Sequence, residues 1–250
     1  MSLNDSPASS ALPTRKIIVA IDGPSGAGKS TIARHLAQRF DLLNLETGAM
    51  YRAFALKALR AAASLDESSG LEKLAAKTSI RLEPGDEHNR VLLDGEDVTN
   101  LLRNQTVTDA ASRVSVWPAI RSWMVRMQQQ LGAAGGVVME GRDIGTVVFP
   151  QAEVKIFLDA DPEVRGLRRF EQVADSGSAI TAQQPEEVIR DLRARDQRDR
   201  NRADSPLKPA PDAVLLDSTL MSLEETVKAA EAIVAARIAS SLTDKDKSKK

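Results

Sequence analysis

Residues 17–40 read IIVAIDGPSGAGKSTIARHLAQRF, and this stretch decides the fold. Between an apolar, β-branched run and a helical pattern it contains the motif GxxxxGK[ST], formed here by Gly23, Gly28, Lys29 and Ser30. Glycines allow the backbone to turn tightly, so that its N–H groups and the N-terminus of the following helix face a phosphate. The motif predicts a P-loop that binds the phosphates of a nucleotide. A glycine-rich turn that binds nothing is the alternative interpretation.

The residue types of this loop predict what its members do. In loops of this kind the lysine reaches the β- and γ-phosphates, and the hydroxyl group next to it binds Mg²⁺. Lys29 and Ser30 are predicted for these two roles, which makes ATP the expected phosphoryl donor and Mg²⁺ the expected cofactor. The residues predicted to bind ATP are Gly23, Pro24, Ser25, Gly26, Ala27, Gly28, Lys29, Ser30 and Thr31, with Arg168 as a candidate platform for the donor base.

Outside the loop, short β-branched runs alternate with helical patterns, which is typical of a parallel sheet covered by helices on both faces. We therefore expect an α/β protein with the three-layer fold of P-loop NTPases. Between residues 79 and 98, short alternating strands with turns at Pro84–Gly85 and Asp94–Gly95 indicate a small β-insert. The predicted strands cover residues 17–21, 42–45, 137–139, 154–158 and 214–216, and the predicted helices cover residues 29–40, 49–63, 118–131, 162–173, 185–200 and 223–239.

Composition narrows the class of protein. The 250 residues carry 34 Lys and Arg against 35 Asp and Glu, so no overall positive charge favours nucleic acid as a partner. The absence of cysteine excludes disulfides, thiolate metal sites and a cysteine nucleophile, and a cytoplasmic location is expected. No apolar stretch is long enough to span a bilayer, so no membrane partner is expected. Residues 1–14, which lack the features of a signal peptide, and residues 240–250 are expected to be disordered.

Two charged clusters follow predicted strands, where ligands collect in open α/β sheets. The stretch LETGAMYR places Thr47 at a turn and Arg52 one helical turn later, where an arginine can bind a phosphate. The stretch VVMEGRDIGTVVF places Arg142 and Asp143 directly after a buried strand. Arg142 is predicted to bind a phosphate, and Asp143 to accept from a base or to hold water around the metal. For Arg52 the alternative is an ordinary surface arginine. For Arg142 and Asp143 the alternative is a solvated loop with a structural salt bridge.

The third cluster is an arginine-rich helix with the sequence IRDLRARDQRDRNRAD, residues 189–204. Arg195, Asp199 and Arg202 fall at positions i, i+4 and i+7, and therefore lie along one face. Such a face can surround a transferring phosphoryl group with guanidinium donors. In the same chain as a P-loop it favours a mobile lid, while a solvated, salt-bridged helix is the alternative.

The motifs GPSGAGKST, ETGAMYR, EGRDIGTVVFP, VKIFLDA and RDQRDRNR, together with the β-insert, resemble the bacterial cytidylate kinase family in order and spacing over residues 16–237. The resemblance implies one domain over residues 15–239, with an insert that binds a nucleoside monophosphate (NMP) at about 47–117 and a lid at about 174–206. It also implies transfer of the γ-phosphoryl group of ATP to CMP or dCMP with Mg²⁺.

The resemblance further assigns residues to the acceptor. It places Ser112 and Arg121 on the cytosine together with Asp143, although the pattern alone would make Ser112 a helix-surface residue and Arg121 a solvated charge. Glu46 and Glu140 stand where the family commonly has Asp. The residues implied to bind CMP are Thr47, Arg52, Ser112, Arg121, Arg142, Asp143, Arg195, Asp199 and Arg202.

Within this set the resemblance implies that Arg52, Arg142 and Arg195 bind the acceptor phosphate, and that Asp199 and Arg202 face the ribose and the phosphates. Phosphoryl transfer of this kind needs positioning and charge neutralisation rather than a protein nucleophile. The predicted catalytic residues are Lys29, Arg142, Arg195 and Arg202.

Several other functions are possible for a P-loop protein. Adenylate, guanylate, thymidylate and shikimate kinases are rival enzymes, and the region of Ser112 and Arg121 and the long β-insert argue against them. A nucleotide switch or sensor is the rival from a different class; it would carry an NKxD element or a switch threonine, and the sequence has neither. A monomer is expected, because no long apolar helix stripe indicates a protein partner. The preference among CMP, dCMP and UMP stays open.

Overall fold

A five-stranded parallel sheet forms the centre of the protein in a computed structural model, which describes residues 17–85, 88–175 and 184–247. A separate three-stranded antiparallel sheet belongs to the insert. In chain order the strands are β1 (Ile18–Asp22), β2 (Leu43–Glu46), β3 (Ile80–Glu83), β4 (Arg90–Leu93), β5 (Glu96–Asp97), β6 (Val137–Gly141), β7 (Val154–Asp159) and β8 (Val214–Asp217).

Helices cover both faces of the central sheet and build most of the insert. Three of them begin at a proline, whose fixed φ suits the first helical turn. None of the helices in the described ranges has the combined length and apolar character needed to cross a membrane. The α-helices of the described residues are α1 (Lys29–Phe40), α2 (Thr47–Arg60), α3 (Ser68–Ala75), α4 (Gln105–Val114), α5 (Pro118–Gly132), α6 (Pro162–Asp175), α7 (Pro185–Asn201) and α8 (Leu223–Lys247).

The order of strands in the central sheet, β2-β6-β1-β7-β8, brings the sequence motifs together. Asp22 at the end of β1 lies beside Gly141 of β6 and Phe157 of β7. Because all five strands are parallel, their carboxyl ends lie at one edge, where the P-loop follows β1, Thr47 follows β2 and Arg142 follows β6. The predicted α/β fold with a P-loop is confirmed.

The insert has its own hydrophobic core, in which α2 packs against β4, α4 and α5. The hairpin between β4 and β5 turns at Asp94 and Gly95, whose φ angles of 51° and 90° suit a tight hairpin turn. The antiparallel β-insert predicted between residues 79 and 98 is therefore present. Asp86 and Glu87, next to the other predicted turn, lie outside the described residues.

Two helices of the insert, α3 and α4, are absent from the sequence prediction. The α3 segment is only eight residues long and contains Gly70, and the α4 segment QTVTDAASRV is rich in residues of low helix propensity. Burial decides their structure instead, because α4 places Ala111 and Val114 in the core of the insert. Tertiary packing therefore overrides the local preference here.

The last helix is longer than the sequence prediction. Residues 240–247, predicted to be part of a disordered tail, continue α8, since neither Gly nor Pro interrupts the chain after Leu223. Helix α2 begins at Thr47, two residues before its predicted start. Three stretches that carry parts of other predictions lie outside the described residues: the N-terminal extension 1–14, part of the lid at 176–183, and the end of the tail at 248–250.

Replacing Phe54 with Ala should destabilise the protein strongly. The Phe54 ring is fully buried, and its centroid lies 5.1 Å from that of Trp123 in an edge-to-face contact. We expect a loss of about 3–5 kcal/mol in the free energy of unfolding, measured by denaturant titration. Leu220→Ala, at a residue that is 96% exposed, should change it by less than about 0.5 kcal/mol. Equal effects of the two substitutions would contradict the proposed core of the insert.

Candidate active site

Glycines hold the P-loop close to the sheet. A Cβ atom on Gly23 would lie 1.9 Å from the carbonyl oxygen of Leu158 in β7, so only glycine fits where the chain leaves β1. Gly28, directly before α1, has a φ of 92°, in the left-handed region that favours glycine. At these two positions no side chain blocks a phosphate from the backbone N–H groups at the start of α1, as a phosphate site requires.

Lys29 begins α1 and is buried, with its ammonium group folded back over the loop. Its Nζ donates a hydrogen bond to the carbonyl oxygen of Pro24 at 2.6 Å. Burial, with the nearby guanidinium groups of Arg142 and Arg195, lowers the pKa of Lys29 to about 7. Three positive groups therefore converge near the P-loop, and a phosphate anion placed among them would favour the charged lysine.

Ser30 and Glu140 supply oxygen ligands beside the loop. Ser30 Oγ donates a hydrogen bond to Glu140 Oε1 at 3.1 Å, which joins α1 to the end of β6. Mg²⁺ prefers such oxygen ligands and is usually bound by one or two protein groups together with substrate phosphates and water. In the described ranges no cluster of three or more His, Cys, Asp or Glu could hold a metal by itself. The oxygens present therefore fit an ion that binds together with a nucleotide.

Glu140 is not among the predicted site residues. Its position at the carboxyl end of β6, the strand that pairs with β1, is the signal that could have identified it.

Thr47 and Arg52 bring the start of α2 to the same edge of the sheet. Thr47 Oγ1 donates a hydrogen bond to the carbonyl oxygen of Glu140 at 2.8 Å and so joins the ends of β2 and β6. Arg52 extends back over Gly48, where an added Cβ would lie 3.3 Å from an Arg52 nitrogen. Burial lowers the pKa of Arg52, while Glu140 and Glu46 favour its charged form. Arg52 is thus a half-buried cation at the predicted phosphate site.

Besides the P-loop and the start of α2, the site is formed by α4, α5 and the loop after β6. Arg121 in α5 is 2% exposed, and its Nη2 forms an ion pair with Asp143. Its Nη1 donates to the carbonyl oxygen of Ser115 at 3.3 Å. The hydroxyl group of Ser115 in turn donates to the carbonyl oxygen of Ser112 at 2.9 Å. The structure therefore links Ser112, Arg121 and Asp143, the three residues that the resemblance assigns to the base.

Asp199 joins α7, a helix of the predicted lid, to the loop after β6. Its carboxylate accepts a hydrogen bond from Arg142 Nε at 3.0 Å, and Arg202 Nη1 lies 3.7 Å from its other oxygen. Burial and the neighbouring Arg142 lower the pKa of Arg195, one helical turn earlier, to about 10. Arg195 and Asp199 of the predicted face thus lie in α7 near Arg142, whereas Arg202 follows the last residue of the helix, with a φ of -64° and a ψ of 141°.

Buried polar atoms without a hydrogen-bond partner concentrate at this site. Four of them belong to residues that the resemblance assigns to CMP, and they are Arg52 Nε, Ser112 Oγ, Arg121 Nε and Arg202 Nη2. Elsewhere in the described part of the chain, three side-chain atoms share this condition: Asn44 Oδ1, Thr146 Oγ1 and Asp196 Oδ1. An unsatisfied buried group costs about 1–3 kcal/mol. The concentration of such atoms therefore indicates that a polar ligand completes the site.

Asp22, at the end of β1, connects this strand to the loop after β6, and the sequence gives no signal for this contact. Its carboxylate accepts hydrogen bonds from the backbone N–H groups of Ile144 at 2.8 Å and Gly145 at 2.7 Å. Burial raises the pKa of Asp22 to about 6, although these two hydrogen bonds act in the opposite direction. Asp22 thus fixes the position of the residues that directly follow Arg142 and Asp143.

Arg168, the candidate platform for the donor base, joins α6 to the loop after β8. Its guanidinium group donates to the hydroxyl and carbonyl oxygens of Ser218 at 3.0 and 2.7 Å, and to the carbonyl oxygen of Met221 at 3.2 Å. Stacking of a base on this group stays a prediction.

A P-loop at the carboxyl edge of a parallel sheet thus faces the buried Arg121 of α5 and half-buried arginines from α2, from the loop after β6 and from α7. A site that presents phosphate-binding groups to two sides of a transferring group is that of a P-loop phosphotransferase.

Comparison with known proteins narrows this class. The model of the cytidylate kinase family matches residues 19–236. The chain is 47% identical over 224 residues to a cytidylate kinase from Solibacter usitatus, covering 90% of this chain and 94% of that protein. It is 49% identical over 219 residues to a cytidylate kinase from Pelotomaculum thermopropionicum, covering 87% and 96%. Among solved structures, shikimate kinase from Acinetobacter baumannii matches with a TM-score of 0.42 and 16% identity over 91% of this chain and 96% of that one.

The chain belongs to the cytidylate kinase family. The family inferred from the sequence motifs is therefore confirmed, and so is the assignment as an ATP-dependent nucleoside monophosphate kinase acting on CMP.

Asp22→Asn should remove a pH dependence of stability. Because the pKa of Asp22 is raised from 3.8 to about 6, the folded protein binds this proton more tightly than the unfolded chain does. The resulting stabilisation is complete below about pH 4 and is lost as the pH rises through about 6. In urea titrations, wild type should lose up to roughly 3 kcal/mol relative to the variant across this window, with no further change above pH 7. A difference that stays constant from pH 4 to 8 would show that Asp22 does not titrate in this way.

Proposed function

We propose that the protein transfers the γ-phosphoryl group of ATP to CMP and dCMP, with Mg²⁺, at the carboxyl edge of the central sheet. The observation that carries the proposal is the set of four buried, unpartnered polar atoms on Arg52, Ser112, Arg121 and Arg202. They belong to residues that the family resemblance assigns to the acceptor, and a nucleotide offers oxygen and nitrogen acceptors to each of them.

The acceptor phosphate is proposed to lie among Arg52, Arg142 and Arg195. Arg142 and Arg52 both lower the pKa of Arg195, and Arg142 binds the carboxylate of Asp199, one helical turn after Arg195. Within the described ranges, Arg142 is the member of this group that has a hydrogen bond to a carboxylate, that of Asp199. A phosphate dianion would compensate this excess of positive charge, and Arg forks suit phosphate oxygens.

The base is proposed to bind between Ser112, Arg121 and Asp143. Cytosine carries an amino group that can donate to a carboxylate, and it carries ring acceptors for a guanidinium or hydroxyl group. Uracil presents a carbonyl oxygen in place of the amino group, and that oxygen would face the Asp143 carboxylate. CMP should therefore be preferred over UMP.

Mg²⁺ is proposed to bind to Ser30 Oγ and to the carboxylate of Glu140, which are already hydrogen-bonded to each other. When bound, the ion would neutralise phosphate charge as the phosphoryl group is transferred. Lys29, Arg195 and Arg202 are proposed to stabilise the remaining charge on that group. No residue is required as a nucleophile, because the acceptor phosphate attacks in line.

Closure of α7 over the site is proposed to exclude water, which would otherwise compete with CMP as acceptor. The domain limits 15–239, 47–117 and 174–206, a monomeric state and a cytoplasmic location remain predictions from the sequence.

A coupled assay of ADP release tests this function directly. Mg·ATP is supplied without acceptor and then with CMP, dCMP, UMP, AMP or GMP in turn. Wild type should respond strongly to CMP and dCMP, and Lys29→Ala should abolish the response. Arg121→Ala should lower kcat/KM for CMP about 10- to 100-fold, because it removes a charged donor. Ser112→Ala, which removes one hydroxyl, should lower it about 3- to 10-fold.

Arg113→Ala is the matched control, because Arg113 is an exposed arginine of α4 that pairs with Asp66 at the surface. It should leave kcat/KM for CMP unchanged within about twofold. An absent response to every monophosphate would contradict the kinase proposal. Equal responses to CMP and UMP, or an unchanged kcat/KM in Arg121→Ala, would contradict the proposed base site.

A further inference from the structure

A buried arginine outside the predicted site joins three parts of the active site. Arg165 in α6 is 1% exposed. Its Nε donates to the carbonyl oxygen of Ala160 at 2.7 Å, and its Nη1 donates to the carbonyl oxygen of Ser25 at 2.8 Å. Its Nη2 lies 2.6 Å from Asp196 Oδ2. One guanidinium group therefore connects the P-loop, the end of β7 and the lid helix α7.

Asp196 places this connection directly among the predicted catalytic residues of the lid. It follows Arg195 in the chain and lies one helical turn before Asp199, whose carboxylate binds Arg142. A continuous set of contacts therefore runs from the P-loop carbonyl of Ser25 through Arg165 and Asp196 into α7. From α7 it reaches the loop after β6 through the Asp199 carboxylate.

Backbone packing makes this connection stiff. A Cβ on Gly26 of the P-loop would lie 3.3 Å from the Cβ of Arg165. A Cβ on Gly166, the next residue of α6, would lie 2.2 Å from Ile189 in α7. Helix α6 is therefore in close contact with the P-loop on one side and with the lid helix on the other.

Stability alone does not account for a buried ion pair at this place. Removing two charges from water costs about as much as their attraction returns, and apolar residues of similar volume often stabilise a protein as well or better. The pair does fix the orientation of α7, because the Ala160 and Ser25 carbonyl oxygens and the Asp196 carboxylate must all meet the planar guanidinium group of Arg165.

We propose that Arg165 and Asp196 are positioning residues that hold the lid helix in register with the P-loop. In this proposal neither side chain contacts the substrates. Their pair sets the rotation and height of α7, and thereby the places of Arg195 and Asp199 relative to the phosphoryl group carried by the P-loop. The inference rests on the proposed function, since it assigns these two residues to the same phosphoryl transfer.

Asp196→Asn tests the pair with little change in shape. Because a displacement of about 1 Å at reacting groups can cost about 100-fold in rate, kcat with CMP should fall about 10- to 100-fold. The Kd for ATP, measured at equilibrium by calorimetry without acceptor, should change less than about threefold, because Lys29 and the P-loop backbone are untouched. The fraction of ATP hydrolysed to phosphate instead of being transferred to CMP should rise, because a misplaced lid admits water.

Two further variants separate positioning from stability. The double variant Arg165→Met with Asp196→Leu removes both charges and should fold with a Tm near that of wild type. The proposal expects it to remain at least about 10-fold below wild type in kcat, because an apolar contact does not fix the Ser25 carbonyl. Arg193→Ala is the matched control: Arg193 pairs with Glu163 between the same two helices at the surface, and its removal should leave kcat within about twofold.

A folded double variant with the kcat of wild type would overturn the proposal and leave the pair a purely structural contact. Asp196→Asn with unchanged kcat and unchanged hydrolysis would overturn it as well. If wild type itself fails to phosphorylate CMP, the proposed function fails. If wild type phosphorylates CMP and both the Asp196→Asn variant and the double variant are fully active, only the positioning role is contradicted.

Discussion

Charge buried at the carboxyl edge of the sheet has to be compensated, and within the described residues the protein does this only in part. Arg121 and Arg142 each have a carboxylate partner, in Asp143 and Asp199. Burial lowers the pKa of Lys29, Arg52 and Arg195, so their charged forms are costly without a further anion. Phosphate groups are the ligands that remove this cost, and the same charges would stabilise a phosphoryl group during its transfer. We therefore propose that binding and catalysis both depend on one incompletely neutralised network.

The scaffold serves to keep that network in place. Parallel pairing puts the P-loop, the start of α2 and the loop after β6 at one edge, and short polar contacts then fix each of them. Asp22 holds the backbone beyond Asp143, and Thr47 joins the ends of β2 and β6. Arg165 joins the P-loop to the lid helix. Each contact connects elements that are far apart in sequence, so the geometry of the site is a property of the complete fold.

Local patterns in the sequence account for much of this arrangement. The P-loop follows from its glycines and its lysine, and the shared face of Arg195 and Asp199 follows from helical spacing, although the helix ends one residue before Arg202. Ser112 and Arg121 could be assigned only through the family resemblance, because a serine and an arginine on helices carry no sign of burial. Asp22 and the Arg165–Asp196 pair could not be predicted for a different reason. Their partners lie on other elements, and single-sequence patterns report neighbours along the chain rather than across it.

The most direct test of this account is a crystal structure of the protein with CMP and a non-hydrolysable ATP analogue. If the unpartnered atoms are the acceptor site, Ser112 Oγ, Arg121 Nε and Arg202 Nη2 should lie within about 3.3 Å of nucleotide atoms, with Arg52 at the CMP phosphate. The CMP phosphate should also face the phosphate end of the ATP analogue near Lys29. A nucleotide bound elsewhere, with these atoms still lacking partners, would contradict the account.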